Sequence, residues 1–300
     1  MTETFDVVIR GGTVVNHNGI GLADVGIRAG RFAAIGDLGR AGAGEVIEAK
    51  GLHVLPGVID TQVHFREPGL EHKEDLESGT RGAVLGGVTA VFEMPNTKPL
   101  TDTAAALEDK LARARGRAWC DHAFFVGATA ENASRLGELE RLPGCSGVKI
   151  FMGASTGDLL VADDPTLARV LAHGRRRVAV HAEDEPRMLA RRGEQGSDPA
   201  NHPVWRDVES ARLATERILR LARAARRPVH VLHITTAEEV PLLAAAKDLA
   251  TMEVTPQHLT LEAPDCGRRC ARAWSTCWAP TTRRIPWPRS RSPIRRAPRA

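Results

Sequence analysis

The stretch Val54-Leu55-Pro56-Gly57-Val58-Ile59-Asp60 is where the sequence changes character. Before it, short β-branched runs are broken by glycine. Phe5-Asp6-Val7-Val8-Ile9-Arg10 meets Gly11-Gly12, and Thr13-Val14-Val15 follows, then runs at 23–28, 32–36 and 45–49. Short strands at regular spacing read as a small β-sandwich over residues 1–56. After Val58, apolar runs at 88–93, 122–127, 147–151, 178–181, 229–233 and 251–254 alternate with helical stretches near 77–85, 103–115, 130–136, 165–173, 185–192, 208–226 and 237–249. Sustained alternation argues for an α/β fold with parallel strands. A (β/α)8 TIM barrel fits better than an open doubly wound sheet, because no Gly-x-Gly-x-x-Gly follows the first strand. The expected barrel spans 57–264 and is incomplete. The run at Val58 and the six after it make seven strands, and nothing beyond them reads as an eighth. An open barrel leaves two sheet edges, which predicts poor solubility or dependence on a partner.

Residues 265–300 break every trend. They are rich in Arg, Pro and Trp and keep no apolar period of 2 or 3.6. They also distort the charge. The chain has 300 residues, 41 Lys+Arg against 37 Asp+Glu, and a net charge of +4. Ten of the arginines, and no carboxylate side chain, lie from Gly267 onward, so the first 266 residues carry 31 basic against 37 acidic groups. The body is acidic, which excludes reading it as a nucleic-acid binder on charge. The tail reads either as a basic arm or as an end translated out of frame, since GC-rich codons shifted in phase give Arg, Pro, Ala and Trp. No apolar run is long enough to span a membrane. The acidic start Met1-Thr2-Glu3-Thr4-Phe5-Asp6 lacks a signal peptide's apolar core, so a cytoplasmic protein is expected. The five cysteines form no CxxC pair, which argues against a disulfide framework and a zinc finger.

Polar residues gather at the C-terminal ends of the expected strands, the rim where barrels place their sites. Asp60, Gln62, His64 and Arg66 are spaced by two and share one face of an extended segment. Lys149 stands alone in the apolar run Gly147-Val148-Lys149-Ile150-Phe151, and His181 and His233 each close a strand. Three strand-end histidines with a buried lysine make a candidate divalent-metal constellation, and neutral imidazole suits zinc. Each histidine taken singly also reads as a hydrogen-bonded core residue. His230 lies three residues before His233, faces the other way on a strand, and reads as structural. Lys149 reads as a surface-reaching lysine, as a Schiff-base nucleophile, or, after addition of carbon dioxide, as an anionic metal-bridging carbamate. An unmodified ammonium has no lone pair to give a metal. Gln62 is a weak oxygen donor, and Cys145 reads as a small apolar residue.

The segment Pro56-Gly57-Val58-Ile59-Asp60-Thr61-Gln62-Val63-His64-Phe65-Arg66-Glu67-Pro68-Gly69 resembles the first-strand signature of the amidohydrolase superfamily, most closely that of the dihydroorotases. Phe92-Glu93-Met94-Pro95-Asn96-Thr97, Gly147-Val148-Lys149-Ile150-Phe151-Met152, Val180-His181-Ala182-Glu183, His230-Val231-Leu232-His233-Ile234-Thr235 and Val254-Thr255-Pro256-Gln257-His258-Leu259 resemble the later motifs, in order. The resemblance implies a zinc-dependent cyclic amidohydrolase that opens dihydroorotate to N-carbamoyl-aspartate and, in reverse, serves pyrimidine biosynthesis. The metal would lower the pKa of water and polarise the ring carbonyl. Carried over, His64 would bind one metal, carbamylated Lys149 would bridge, and His181 and His233 would bind the second. Arg66 and Asn96 would hold the substrate carboxylate, which favours dihydroorotate over hydantoins, and a guanidinium fork suits that task.

Two departures bear on activity. Gln62 stands where most relatives have the first His of His-x-His, and the eighth-strand Asp that acts as general base is absent. No catalytic residue is therefore assigned, and the expectations are one well-held zinc per chain and little turnover. The alternatives are a non-catalytic dihydroorotase-like subunit scaffolding aspartate transcarbamoylase, and a hydantoinase or allantoinase. A homo-oligomer is an open possibility, and no nucleic-acid or membrane partner is expected.

Overall fold

The computed structural model describes residues 3–154, 159–197 and 201–260. Its N-terminal strands are β1 (Thr4–Asn16), β2 (Gly19–Arg28), β3 (Arg31–Gly36), β4 (Gly42–Glu48) and β5 (His53–Val54), in one sheet of order β3-β2-β1-β4 with β5 also on β1. The glycine break expected after Arg10 is a register shift between Ile9 and Gly12, so the two short runs form one long strand. Asp24 closes this region: its carboxylate accepts from the Gly11 and Leu38 amides at 2.7 and 3.0 Å. One face of the sheet keeps Leu22 and Phe32 exposed.

The second sheet contains β6 (Val58–Val63), β7 (Val88–Glu93), β8 (Asp121–Gly127), β9 (Cys145–Phe151), β10 (Val178–His181), β11 (Val229–Val231) and β12 (Ala250–Met252). Its order runs unbroken from β12 to β6, and the pairings β8–β9, β9–β10, β10–β11 and β11–β12 are all parallel. Strict chain order in a parallel sheet is the arrangement of a (β/α)8 barrel. Among the described residues it has seven strands, as the alternation of runs predicts. The helices are α1 (Leu76–Leu85), α2 (Ala104–Ala114), α3 (Leu136–Leu139), α4 (Asp164–Ala172), α5 (Glu185–Ala190), α6 (His202–Trp205), α7 (Val208–Ala225), α8 (Glu239–Ala244) and α9 (Pro256–Thr260). No helix among the described residues is long and apolar enough to cross a membrane.

Local chemistry starts the helices where expected. Thr103, Asp163, Asp184 and Asp207 each cap a helix by accepting the amide of the residue three positions on. The strands β9 and β10 are buried on both faces, as parallel barrel strands must be, with Val148, Ile150, Val178 and Val180 at 1% exposure or less.

By compactness the described residues fall into two units. Residues 3–63, 76–92 and 116–122 form one, and 64–75, 93–115 and the described part of 123–260 form the other. The anomalous segment 265–300, with the position expected for an eighth strand and its Asp, lies outside the described residues.

Candidate active site

Lys149 is the centre of the second unit's chemistry. It sits in β9 between the backbones of Gly127 and Ala179, with 1% of its surface exposed. Its Nζ lies 4.4 Å from the centroid of the Phe151 ring. Burial holds its ammonium well below the ordinary lysine range, and the Glu253 carboxylate pulls weakly the other way. No carboxylate among the described residues forms an ion pair with it. Burial thus favours the neutral amine, the form that carbon dioxide addition requires.

Two histidines meet beside it. His181 ends β10, and its Nδ1 lies 3.0 Å from Nε2 of His233, the rings crossing edge-on at 71°. On its other side, His181 Nε2 lies 2.6 Å from Glu183 Oε2. A carboxylate can only accept, so Nε2 carries the hydrogen, Nδ1 carries the lone pair, and His233 Nε2 donates to it. His233 follows β11 with φ +39, the left-handed region that a β-carbon disfavours, and this turn carries its ring back to His181. Burial, then the charges of His181 and Lys149, push the His233 imidazole down to about 2. Burial likewise lowers His181, though its bond to Glu183 resists.

His64 is also neutral. Burial first, then the positive charges of Arg66 and Lys149, lower it to about 3, while a hydrogen bond with the Asn96 side chain opposes them. Asn96 is 4% exposed, so one residue expected to hold substrate carboxylate is engaged with an expected metal ligand. Arg66 adopts φ +69, in the left-handed region. Gln62 belongs to the other unit, where its Oε1 is buried and takes no hydrogen bond among the described residues.

Neutral imidazoles are the form that binds zinc, and the facing nitrogens of His181 and His233 fit one ion once the His233 hydrogen moves from Nε2 to Nδ1. Two ligands at about 2.0–2.1 Å on a tetrahedral ion stand about 3.3 Å apart, close to the distance between these atoms. The fit is incomplete without Lys149. Among the described residues no three His, Cys, Asp or Glu side chains converge as ligands, and His64 does not join the pair. Lys149 is the residue that acts on all three histidines through space. As an anionic carbamate it would supply the missing donor.

Sequence reading missed three carboxylates of this region. Glu183 stands two residues beyond His181, and the i, i+2 signal was present. Arg206 forms an ion pair with Glu183, and nothing in the local pattern connects the two. Glu253 follows β12 and lies 3.2 Å from His230 Nε2. His230 also bonds Thr251 on the neighbouring strand at 2.7 Å, which agrees with a structural role. The third is Glu93, whose Oε2 lies 2.7 Å from Lys110 Nζ, both residues 1% exposed. A cavity of about 560 Å³ opens over His181 and His233, lined also by Glu183, Arg206, Thr235 and His258. That volume suits a small ring.

Residues 51–142 match the family model described as dihydro-orotase-like. Over most of its length the chain is similar to cyclic amidohydrolases. An allantoinase of Rubrobacter xylanophilus is 38% identical, the match covering 90% of this chain and 62% of that protein. A dihydroorotase of Methanothermobacter thermautotrophicus is 33% identical, over 80% of this chain and 54% of that protein. Among solved structures, the L-hydantoinase (dihydropyrimidinase) from Arthrobacter aurescens superposes with a TM-score of 0.83 at 27% identity, over 91% of this chain and 67% of that one. In fold and motifs the chain is thus similar to cyclic amidohydrolases. The matched relatives divide among allantoinases, hydantoinases and a dihydroorotase. The chain spans about three-fifths of the length of the curated relatives it matches.

Proposed function

We propose that this chain supplies the zinc-holding and substrate-holding part of a cyclic amidohydrolase that opens the amide bond of a small ureide ring. The observation that carries this reading is the pair of facing nitrogens on His181 and His233 beside the buried, unpaired Lys149. Carbamylated Lys149, His181 and His233 would hold one zinc ion, with His64 nearby. Zinc, when bound, lowers the pKa of water and polarises a carbonyl. The residues present do the rest of the holding. Glu183 keeps the proton on the far side of His181, and the apolar packing of β9 and β10 keeps water away from Lys149.

Two substrates divide the support. Dihydroorotate is favoured by Arg66, whose guanidinium can pair with a ring carboxylate, and by the dihydro-orotase-like match. Allantoin is favoured by the 38% identical relative. The test is calorimetric binding and turnover of dihydroorotate, allantoin and hydantoin by the zinc-loaded chain, with Arg66→Ala alongside. The dihydroorotate reading expects that variant to weaken dihydroorotate binding about 10- to 100-fold, the value of a charge-assisted pair, and to spare allantoin. Equal use of dihydroorotate by the variant sinks that reading. Binding of none of the three rings, with capture of an aspartate transcarbamoylase, turns the assignment to a scaffold subunit in a cytoplasmic pyrimidine assembly.

A further inference from the structure

His181 is held from behind by an ordered chain of contacts. Its Nε2 donates to Glu183 Oε2 at 2.6 Å, and Arg206 Nη1 donates to the same oxygen. Arg206 is itself fixed at three points. Its Nη2 donates to the Ala154 carbonyl at 2.5 Å, its guanidinium lies 4.7 Å from the Trp205 ring centroid, and Trp205 Nε1 donates to the Met188 carbonyl at 2.9 Å. The Glu183 and Arg206 side chains are 17% and 14% exposed, so water weakens the pair little.

We infer that Glu183 and Arg206 are positioning residues that lock His181 in the Nε2–H tautomer and aim its Nδ1 lone pair at the zinc-binding position. The opposite tautomer would set the Nε2 lone pair against the carboxylate and an N–H against the hydrogen on His233 Nε2. Arg206 serves by orienting Glu183. A ligating histidine needs such a fixed tautomer, and losing its carboxylate partner typically costs about 10- to 100-fold in metal affinity. The zinc part rests on the function proposed above, whereas the tautomer lock stands without metal.

The experiment follows both. Nitrogen-15 spectra of the histidine rings in the metal-free chain, with His181 assigned by His181→Asn, are expected to show a single Nε2–H tautomer. Glu183→Ala is expected to mix the tautomers and weaken zinc binding about 10- to 100-fold by competition titration. Arg206→Gln is expected to do both more weakly, and Arg206→Lys to restore the tautomer in part. Glu183→Leu, which keeps most of the side chain's volume and accepts no hydrogen bond, serves where Glu183→Ala does not fold. An unchanged His181 tautomer in folded Glu183→Ala or Glu183→Leu overturns the lock. A Glu183-dependent tautomer in a chain that binds no zinc upholds the lock and overturns the metal reading.

Discussion

Lys110 and Lys149 are buried to the same extent, at 1% exposure, and come to opposite ends. Lys110 lies on the inner stripe of α2 with Leu107 and Ala114. It meets Glu93 at 2.7 Å, donates to the Met94 carbonyl at 3.3 Å and lies 5.0 Å from the Phe124 ring centroid. Burial pushes both Lys110 and Glu93 toward neutrality while each resists for the other. Lys149 has a ring beneath it, a distant carboxylate at Glu253 and no ion pair among the described residues. The paired lysine is architecture. The other, without an ion pair among the described residues, is pushed by burial toward its neutral form inside β9, a setting that suits chemistry.

That contrast can be broken by experiment. Lys149→Met should abolish stoichiometric zinc binding while leaving the metal-free fold as stable or more so, because an uncharged amine in an apolar site gives way to an apolar chain of similar length. Zinc analysis and urea denaturation read both effects. The parent chain should hold at most one zinc, and two stoichiometric ions would contradict the weak donor at Gln62. Lys110→Met should do the reverse for stability, costing about 3 kcal/mol or more by stranding Glu93. The Lys110→Met, Glu93→Gln double variant should recover part of that loss. A harmless Lys110→Met would erase the distinction drawn between the two lysines.

A further effect is on acid stability. His64 and His233 sit at about 3 and about 2 in the folded chain, far below the ordinary 6.5. Between those values the unfolded chain binds a proton at each site and the folded chain does not. Their contribution is therefore complete above pH 6.5 and declines as pH falls, by about 1.4 kcal/mol per pH unit for each histidine, until the folded values are reached. The metal-free chain should show this slope between pH 6.5 and 5, and His233→Asn should reduce it by about half. A flat profile in that window would mean that these rings are hydrated and protonated in the fold.

Much of this site was legible as pattern. Val178-Ala179-Val180-His181 and Gly147-Val148-Lys149-Ile150-Phe151 are apolar runs that admit one polar residue each, and β9 and β10 bury both as such runs require. Partnership was harder to read. Asn96, expected to face substrate, turns to His64. Arg206, in a segment with no periodic signal, reaches Glu183 across 23 residues. Contacts of that kind depend on loop paths that no local period encodes.

By itself the sequence determined the alternation of strands and helices, the capping side chains that start α2, α4, α5 and α7, and the placing of His64, His181 and His233 near strand ends and of Lys149 within β9. Those follow from periods of 2 and 3.6 and from local hydrogen bonding, which act over a few residues. The tertiary structure alone decided which lysine is paired, which way the His181 ring presents its lone pair, and which charges outlast burial. Those outcomes depend on dielectric and on distances between groups far apart in the chain, quantities that exist only once the chain has folded.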